Sequence, residues 1–429
     1  MKGSMTVERK KAPGIVDAVN FELALKPYTK YILKNGVEVY AVDAGAEEVM
    51  AIEWVFAAGN SFEDRNLVAA TTNFLLKNGT STRNAFQLNE YFDYYGSFLN
   101  RSCYNETATV TLHTLTRHLD KLLPAVREII VDSTLPEEEL ATYKQNMKQK
   151  LKVSLKKADF VAGRLIDAYL YGEHHPYGKY TREGDFDALD QQSLLAFYKK
   201  YYQEGKLVIF AAGKLPADLE GSLNKYFGDI PQQNIQDVKT IINPATEKKY
   251  RIVNDEKNVQ GSIRLARDFP NRHHPDFQKV QVLNAVFGGF FGSRLMLNIR
   301  EEKGYTYGIH SYLQNHVHDS AWMVSTEAGR EVCEATIEEV HKEMKELREE
   351  LIDEEELLLV RNYMIGGILG ELDGPFQIIG RWKSLILNGL TEDYFYSSIN
   401  CIKTVSAEEL RLLAQKYLDP KDFYDLVVV

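Results

Sequence analysis

The sequence predicts an α+β protein built from two related halves. Two similar segments, LPEEELATYKQNM ending at Met147 and LIDEEELLLVRNYM ending at Met364, lie 217 residues apart. A second pair of similar segments aligns Tyr201 with Tyr417, an offset of 216 residues. Two matches at nearly one offset indicate an internal duplication, and both copies mix strand-like alternation with helix-like spacing.

Each half is expected to form one domain. We predict a first domain over residues 1–230, a linker over residues 231–249 and a second domain over residues 250–429. The linker is polar and bracketed by prolines, and a connection of about 20 residues lets two domains fold toward each other. Such an arrangement favours a cleft between two similar faces.

The elements of the first half follow from their patterns. KYILKNGVEVYAVDA predicts a hairpin with a tight turn at Asn35-Gly36. VMAIEWVFAAG predicts another strand, and LVAATTNFLLKNG predicts a helix that stops at Gly79. GSFLNRSCYNETATVTLHTL returns to alternation, three helical segments follow, and KLVIFAAG closes the half as a strand. Strands that come mostly in hairpins favour a mostly antiparallel sheet with helices on one face.

The composition argues against several classes of protein. A net charge of −10 disfavours a nucleic-acid binder, so the basic run Lys144–Lys157 is expected to be a solvated face or a partner surface. No apolar run approaches the roughly 18 residues of a membrane span. The N-terminal segment lacks the apolar core of a secretory signal, and three cysteines are too few for a disulfide framework. We expect the cytoplasm, or the periplasm if a signal was removed.

The segment from Leu67 to Leu112, within the two-half layout, resembles the pitrilysin/insulinase-type zinc peptidases, the inverzincins. The resemblance implies two homologous domains of the LuxS/mitochondrial-processing-peptidase-like metallohydrolase type, which enclose a peptide-binding chamber. Active members carry H-x-x-E-H, in which two imidazoles hold zinc and the Glu activates water. Those positions fall on Ala70, Asn73 and Phe74.

None of these three residues suits the corresponding role. Alanine has no donor atom, asparagine cannot take a proton from water, and phenylalanine is apolar. The resemblance places a third ligand, a Glu, on a later helix, yet no carboxylate occurs from Ala141 to Ala158, and lysines make that helix cationic. We therefore expect no metal in this chain. Histidine pairs elsewhere are expected to be structural or solvated; they are His174-His175, His273-His274, and His316 with His318.

The second half keeps a segment that resembles the family's second domain. It is FGGFFGSRLMLNIREEKGYTYGIHSYL, in which the family's Arg and a Tyr seven residues later correspond to Arg300 and Tyr307. A guanidinium can bind a peptide carbonyl, and a phenol can donate to the oxygen that becomes charged. The alternative is an ordinary helix end in which Arg300 pairs with Glu301 or Glu302.

Asn100 occupies the position of an Asn that the family carries on the edge strand that receives the peptide. An ordinary polar residue on a strand is an equally good interpretation.

The resemblance implies a non-catalytic subunit of a heterodimeric zinc endopeptidase. Its partner would be a zinc-bearing homologue, its substrate an unfolded peptide or oligopeptide, and its contribution Arg300 and Tyr307 acting in trans. The chain alone is expected to be inactive. Two alternatives remain: a structural subunit of the core type without a proteolytic role, and a stand-alone peptide-binding protein that forms a homodimer.

Overall fold

A computed structural model describes residues 16–235 and 241–429. These residues form two β-sheets surrounded by helices. The strands are β1 Thr29–Ile32, β2 Glu38–Asp43, β3 Val49–Phe56, β4 Phe98–Cys103, β5 Ala108–Leu115, β6 Leu207–Gly213, β7 Lys249–Ile252, β8 Gln260–Phe269, β9 Thr306–Asn315, β10 Ser320–Gly329 and β11 Tyr424–Val428. The α-helices are α1 Val68–Leu75, α2 Ala85–Tyr94, α3 Leu119–Val131, α4 Glu137–Ser154, α5 Ala158–Tyr171, α6 Glu183–Asp187, α7 Gln191–Tyr198, α8 Leu219–Phe227, α9 Phe277–Asn284, α10 Cys333–Glu349, α11 Glu354–Gly370, α12 Pro375–Leu387, α13 Glu392–Thr404 and α14 Ala407–Tyr417. The π-helical segments are Lys199–Gln203, Ala285–Gly289 and Met296–Glu302.

The two sheets share one strand order once β1 is set aside. The first runs β1-β2-β6-β3-β5-β4 and the second β7-β11-β8-β10-β9. Each contains one parallel pair, β2 with β6 and β7 with β11, in an otherwise antiparallel sheet. The predicted α+β class is therefore confirmed. Helices α4 and α11 begin 217 residues apart, as do α5 and α12, which supports the predicted duplication; the domain boundaries remain a prediction.

The first sheet forms as its sequence predicts, with one difference at α1. β1 and β2 pair antiparallel across the Asn35-Gly36 turn, where Gly36 has a φ of +86°. α1, however, ends at Leu75 rather than continuing to Gly79. Gly79 instead forms a β-bridge with Asn84, and a Cβ on it would lie 2.6 Å from the Pro136 ring. The glycine is needed for this close approach, not as a helix terminator.

Each sheet is covered on its second face by a helix from the other half, which the sequence did not predict. Ile166 and Leu170 of α5 pack against Met323 of β10 within a buried cluster of the second sheet. Ile379 and Ile386 of α12 pack against the first sheet; their contacts there are Tyr40, Val55 and Phe210. The remaining apolar cores lie on the opposite faces, beneath most of the helices. Burial on two faces explains why these strands have few exposed residues.

Candidate functional site

Helix α1 is fixed at its beginning by a buried carboxylate. Glu63 accepts hydrogen bonds from the backbone N–H groups of Leu67 (3.3 Å) and Ala69 (2.8 Å). Its side chain is 1% exposed and pairs with Lys179. Burial raises the pKa of Glu63 although Lys179 and the two N–H groups oppose the shift. The carboxylate satisfies donors that a helix start leaves unpaired.

The three motif positions of α1 have structural roles of different kinds. Asn73 is 2% exposed, and its Nδ2 donates to the Thr109 carbonyl (3.2 Å) and the Tyr202 hydroxyl (3.1 Å). Ala70 is half-buried, whereas Phe74 is 44% exposed. The Asn73 amide thus connects α1 to β5 and to the π-helical segment Lys199–Gln203, which contains Tyr202.

An arginine on the neighbouring strand lies against this part of α1. Arg101 Nη1 donates to the backbone carbonyl of Phe74 and, at 3.4 Å, to Asn78 Oδ1. The guanidinium carbon lies 5.3 Å from the centre of the Phe74 ring. Burial lowers the pKa of Arg101 to about 10, so the group is charged at neutral pH. Sequence reasoning missed Arg101, although it is two residues after the buried Leu99 on β4 and so shares its face.

The face of α4 that packs against this region is aromatic and apolar. Tyr143 is 7% exposed, and its ring lies 4.8 Å from that of Phe74. Met147 packs on the same core. The positive charge next to α1 comes from Arg101 on β4, since the lysines of α4 point elsewhere.

Those lysines are partly paired within the chain. Lys144 Nζ donates to the backbone carbonyl of Asp187 at 3.4 Å. Lys148 pairs with the carboxylate of the same residue. Lys152 pairs with Glu183 at 2.9 Å. These contacts reduce the positive charge that the basic run can offer to an acidic partner.

The side chains around α1 do not fit a hydrolytic zinc ion. A zinc site needs imidazole, thiolate or carboxylate donors, whereas Asn73 and Phe74 are surrounded by an amide already engaged, aromatic rings and a guanidinium. The Glu63 carboxylate is already held by Lys179 and two backbone N–H groups, and burial raises the pKa of the Cys103 thiol to about 12. No group of three or more His, Cys, Asp or Glu that could hold a metal occurs within residues 16–235 and 241–429.

The second candidate region lies where a π-helical segment passes into the edge strand β9. Arg300 Nε donates to the backbone carbonyl of Tyr307 at 2.9 Å. Its Nη1 pairs with Glu301, the contact that the alternative interpretation predicts. The guanidinium carbon lies 4.6 Å from the centre of the Phe291 ring. Arg300 and Tyr307 are therefore adjacent, with Arg300 held in place and Tyr307 97% exposed.

Asn100 lies on β4, the edge strand of the first sheet, opposite Thr111 of β5. It is exposed and lies on the other face of the strand from Leu99 and Arg101. β4 and β9 are the corresponding outer strands of the two sheets. On β9 the carbonyls of Tyr307 and Ser311 already accept hydrogen bonds from the side chains of Arg300 and Asn284, so this edge is partly occupied.

The turns that follow these edge strands meet each other. Asn105 Nδ2 lies 2.9 Å from Nδ1 of His316, and the imidazole stacks on the Tyr177 ring with the ring centres 3.9 Å apart. Burial, and then the nearby His175, lower the pKa of His316 to about 4. These contacts support a structural role for His316.

Two family models match the sequence. The one described as "Insulinase (Peptidase family M16)" matches residues 42–177, and the one described as "Peptidase M16 inactive domain" matches residues 188–364. The chain belongs to the M16, or insulinase, peptidase family. The predicted resemblance is thereby confirmed, and this M16 chain lacks the zinc-motif side chains on α1.

Curated relatives are distant but extend over most of the M16 chain. It is 23% identical to "Uncharacterized zinc protease YmxG" of Bacillus subtilis, covering 90% of this chain and 95% of that protein. It is also 23% identical to "Non-peptidase homolog YmxG" of Helicobacter pylori, with 88% of each chain covered.

Solved structures agree in fold. A peptidase M16 inactive domain from Pseudomonas fluorescens superposes with a TM-score of 0.83 at 23% identity, covering 94% of this chain and 98% of that one. A protease from Helicobacter pylori superposes with a TM-score of 0.84 at 16% identity, covering 94% and 100%. Within the described residues, no helix is long and apolar enough to cross a bilayer.

Proposed function

We propose that this chain is the non-catalytic subunit of a heterodimeric zinc endopeptidase and supplies Arg300 and Tyr307 to the active site of a zinc-bearing M16 partner. The adjacency of these two residues is the observation that carries the proposal. Arg300 is fixed by the Tyr307 carbonyl, and the Tyr307 side chain is 97% exposed. Because the Tyr307 phenol has no role in the fold of its own chain, it is available to a substrate that the partner chain binds.

Peptide binding along an edge strand is the second part of the proposal. β4 is an outer strand that pairs only with β5 among the described strands, and an extended chain can add to its other edge through main-chain hydrogen bonds. Asn100 on β4 would bind the peptide from the exposed face. In the bound substrate, Arg300 would donate to a peptide carbonyl, and Tyr307 would donate to the oxygen that becomes charged in the transition state.

The proposal predicts a division of labour that can be measured. The purified chain would bind less than stoichiometric zinc and would not cleave an unfolded peptide. With a zinc-bearing M16 homologue, it would form a heterodimer detectable by gel filtration, and the mixture would cleave. Zinc bound at the α1 region of the single chain, together with chelator-sensitive cleavage, would contradict the proposal.

The role of Arg300 is tested in the mixture. Arg300→Ala is expected to lower kcat of the heterodimer by about 10²-fold, the usual cost of losing one transition-state donor. Arg348→Ala is the matched control, because Arg348 lies on α10 and donates to the carbonyl of Met344 in its own helix. Equal activity of the two variants would favour a purely structural subunit, and a homodimer that never binds the homologue would favour the stand-alone peptide-binding protein.

A further inference from the structure

A cavity of about 450 Å³ lies in the second half, between α9, α11, α12 and α13. Its volume falls within the range of about 300–1,000 Å³ typical of small-molecule sites. Neither the α1 region nor the Arg300–Tyr307 pair contributes a lining residue. The cavity is thus separate from the site proposed above.

Two arginines line this cavity with few partners. Arg272 Nη1 donates to the Ser384 hydroxyl at 3.2 Å, while its Nε is buried and donates to no atom of the described residues. Arg381 pairs with Glu371, a carboxylate that is 58% exposed. Burial lowers the pKa of both arginines, and repulsion from Arg272 lowers that of Arg381 further. The two guanidinium groups are close enough to repel each other.

The charged groups of the lining do not balance. Two guanidinium groups face one carboxylate, that of Glu371. Within residues 16–235 and 241–429, no carboxylate lies at ion-pair distance from Arg272. Burying a cation without a full set of partners destabilises a fold. An anion between the two arginines would relieve this cost.

The rest of the lining suits an organic ligand rather than a bare ion. Amide side chains of Gln281 and Asn315 add polar groups, and Asn315 is the last residue of β9. Apolar surface comes from the partly buried Met364 and Ile368 of α11, beneath which lie the core residues Phe277 and Leu385. Ligand sites commonly combine such apolar walls with a few polar groups that fix the orientation.

We propose that this cavity binds a small organic anion. Its carboxylate or phosphate head would lie between Arg272 and Arg381, because the planar fork of a guanidinium matches both groups. Its short apolar chain would lie against Met364 and Ile368. The proposal does not depend on a partner subunit.

The test is isothermal titration calorimetry on the full chain with four probes: hexanoate, hexyl phosphate, inorganic phosphate and hexanamide. At least one of the two amphiphilic anions is expected to bind, and the comparison between them identifies the preferred head group. Hexanamide is expected to bind at least about tenfold more weakly than hexanoate, since it lacks the charge. The proposal is overturned if neither amphiphilic anion binds. It is also overturned if the preferred anion binds no more tightly than hexanamide, which lacks the charge, or than inorganic phosphate, which lacks the chain.

Variants locate the binding within the cavity. Arg272→Gln is expected to weaken binding of the preferred anion by about tenfold or more, and Arg272→Lys by less, because it keeps the charge. Arg127→Gln is the matched control, an arginine of the first half that pairs with Asp229 at 2.6 Å. If Arg272→Gln folds poorly, Ser384→Ala tests the same point, since the hydroxyl positions Arg272. Unchanged affinity in the Arg272 variants, or in Ser384→Ala where those do not fold, would place the ligand elsewhere and overturn the proposal.

Discussion

The α1 region of the first half and the Arg300–Tyr307 region of the second half differ in how far their candidate site residues are exposed to solvent. Around α1, Asn73 is 2% exposed and has two hydrogen-bond partners. At the start of β9, Tyr307 is 97% exposed. In the first region the polar motif position is buried and hydrogen-bonded, whereas the second region keeps a phenol in solvent.

The first half lacks the side chains of the zinc motif but keeps the helix that would carry them. At the motif positions, Asn73 hydrogen-bonds to β5 and to Tyr202 of the same half, and the Phe74 ring packs against Tyr143 and Arg101. The exposed phenol, by contrast, adds nothing visible to the stability of its own half. Substitutions in the two regions should therefore affect different quantities, stability in the first and activity of a complex in the second.

The largest effect is expected from Tyr307→Phe in the reconstituted heterodimer. Removing the hydroxyl should lower kcat by about 10²-fold, because one donor to the developing charge is lost. The melting temperature of the chain should not change, since the side chain is exposed. Tyr312→Phe, on the same strand, is the control and should leave kcat near the wild-type value. Parallel losses in both variants would remove the contrast between the regions.

Asn73→Ala should show the reverse pattern. The free energy of unfolding is expected to fall by about 1–3 kcal/mol, because buried acceptors lose their donor. Chemical denaturation of the single chain measures this loss. Asn100→Ala, on the exposed face of β4, should change stability little. A stable Asn73→Ala variant would mean that α1 does not depend on this amide.

Helix α5, which covers the second face of the second sheet, allows a test with a smaller expected effect on stability. Burial raises the pKa of Asp167 on α5 to about 6, against an unfolded value near 4. The folded state therefore holds this proton more tightly, so its stabilising effect is present at pH 4 and is lost as the pH rises through about 6. Asp167→Asn should exceed the wild type in stability at pH 7 by up to about 2 kcal/mol and match it near pH 4. Urea denaturation at both pH values checks this; a constant difference would contradict it.

The smallest effect concerns the ion pair under α12. Lys383 Nζ lies 2.8 Å from a carboxylate oxygen of Glu53, and both side chains are partly buried. Lys383→Met should destabilise the chain by about 1 kcal/mol, as expected for a pair that water still reaches. Lys383→Met combined with Glu53→Gln should recover part of the loss. Thermal unfolding in low and high salt measures both, and an insensitive Lys383→Met would show that packing alone holds α12.

Much of the fold could be predicted from the sequence, because repeats and hairpins are local patterns. The 217-residue offset anticipated α4 and α11, and the Asn35-Gly36 turn anticipated β1 and β2. The exchange of α5 and α12 could not be predicted, because helical spacing shows an apolar face without showing which sheet it covers.

The candidate site divides in the same way. The replaced motif positions and the Arg300–Tyr307 pair could be read from spacing and resemblance. Arg101 was missed because nothing in a single strand residue shows that its side chain will cross to α1. Its position two residues after Leu99 was the available signal. The basic run of α4 was interpreted as a solvated face or a partner surface, and a charge run alone does not show that Tyr143 and Met147 form the buried face of that helix.

Exchange of covering helices makes each copy of the duplicated unit structurally dependent on the other. A protease that cut within residues 231–249 would break the chain yet leave two pieces interlocked through α5 and α12. The nicked protein should elute as one particle, and either piece expressed alone should expose the bare face of its sheet and aggregate. Co-expression of the two pieces should restore a soluble particle.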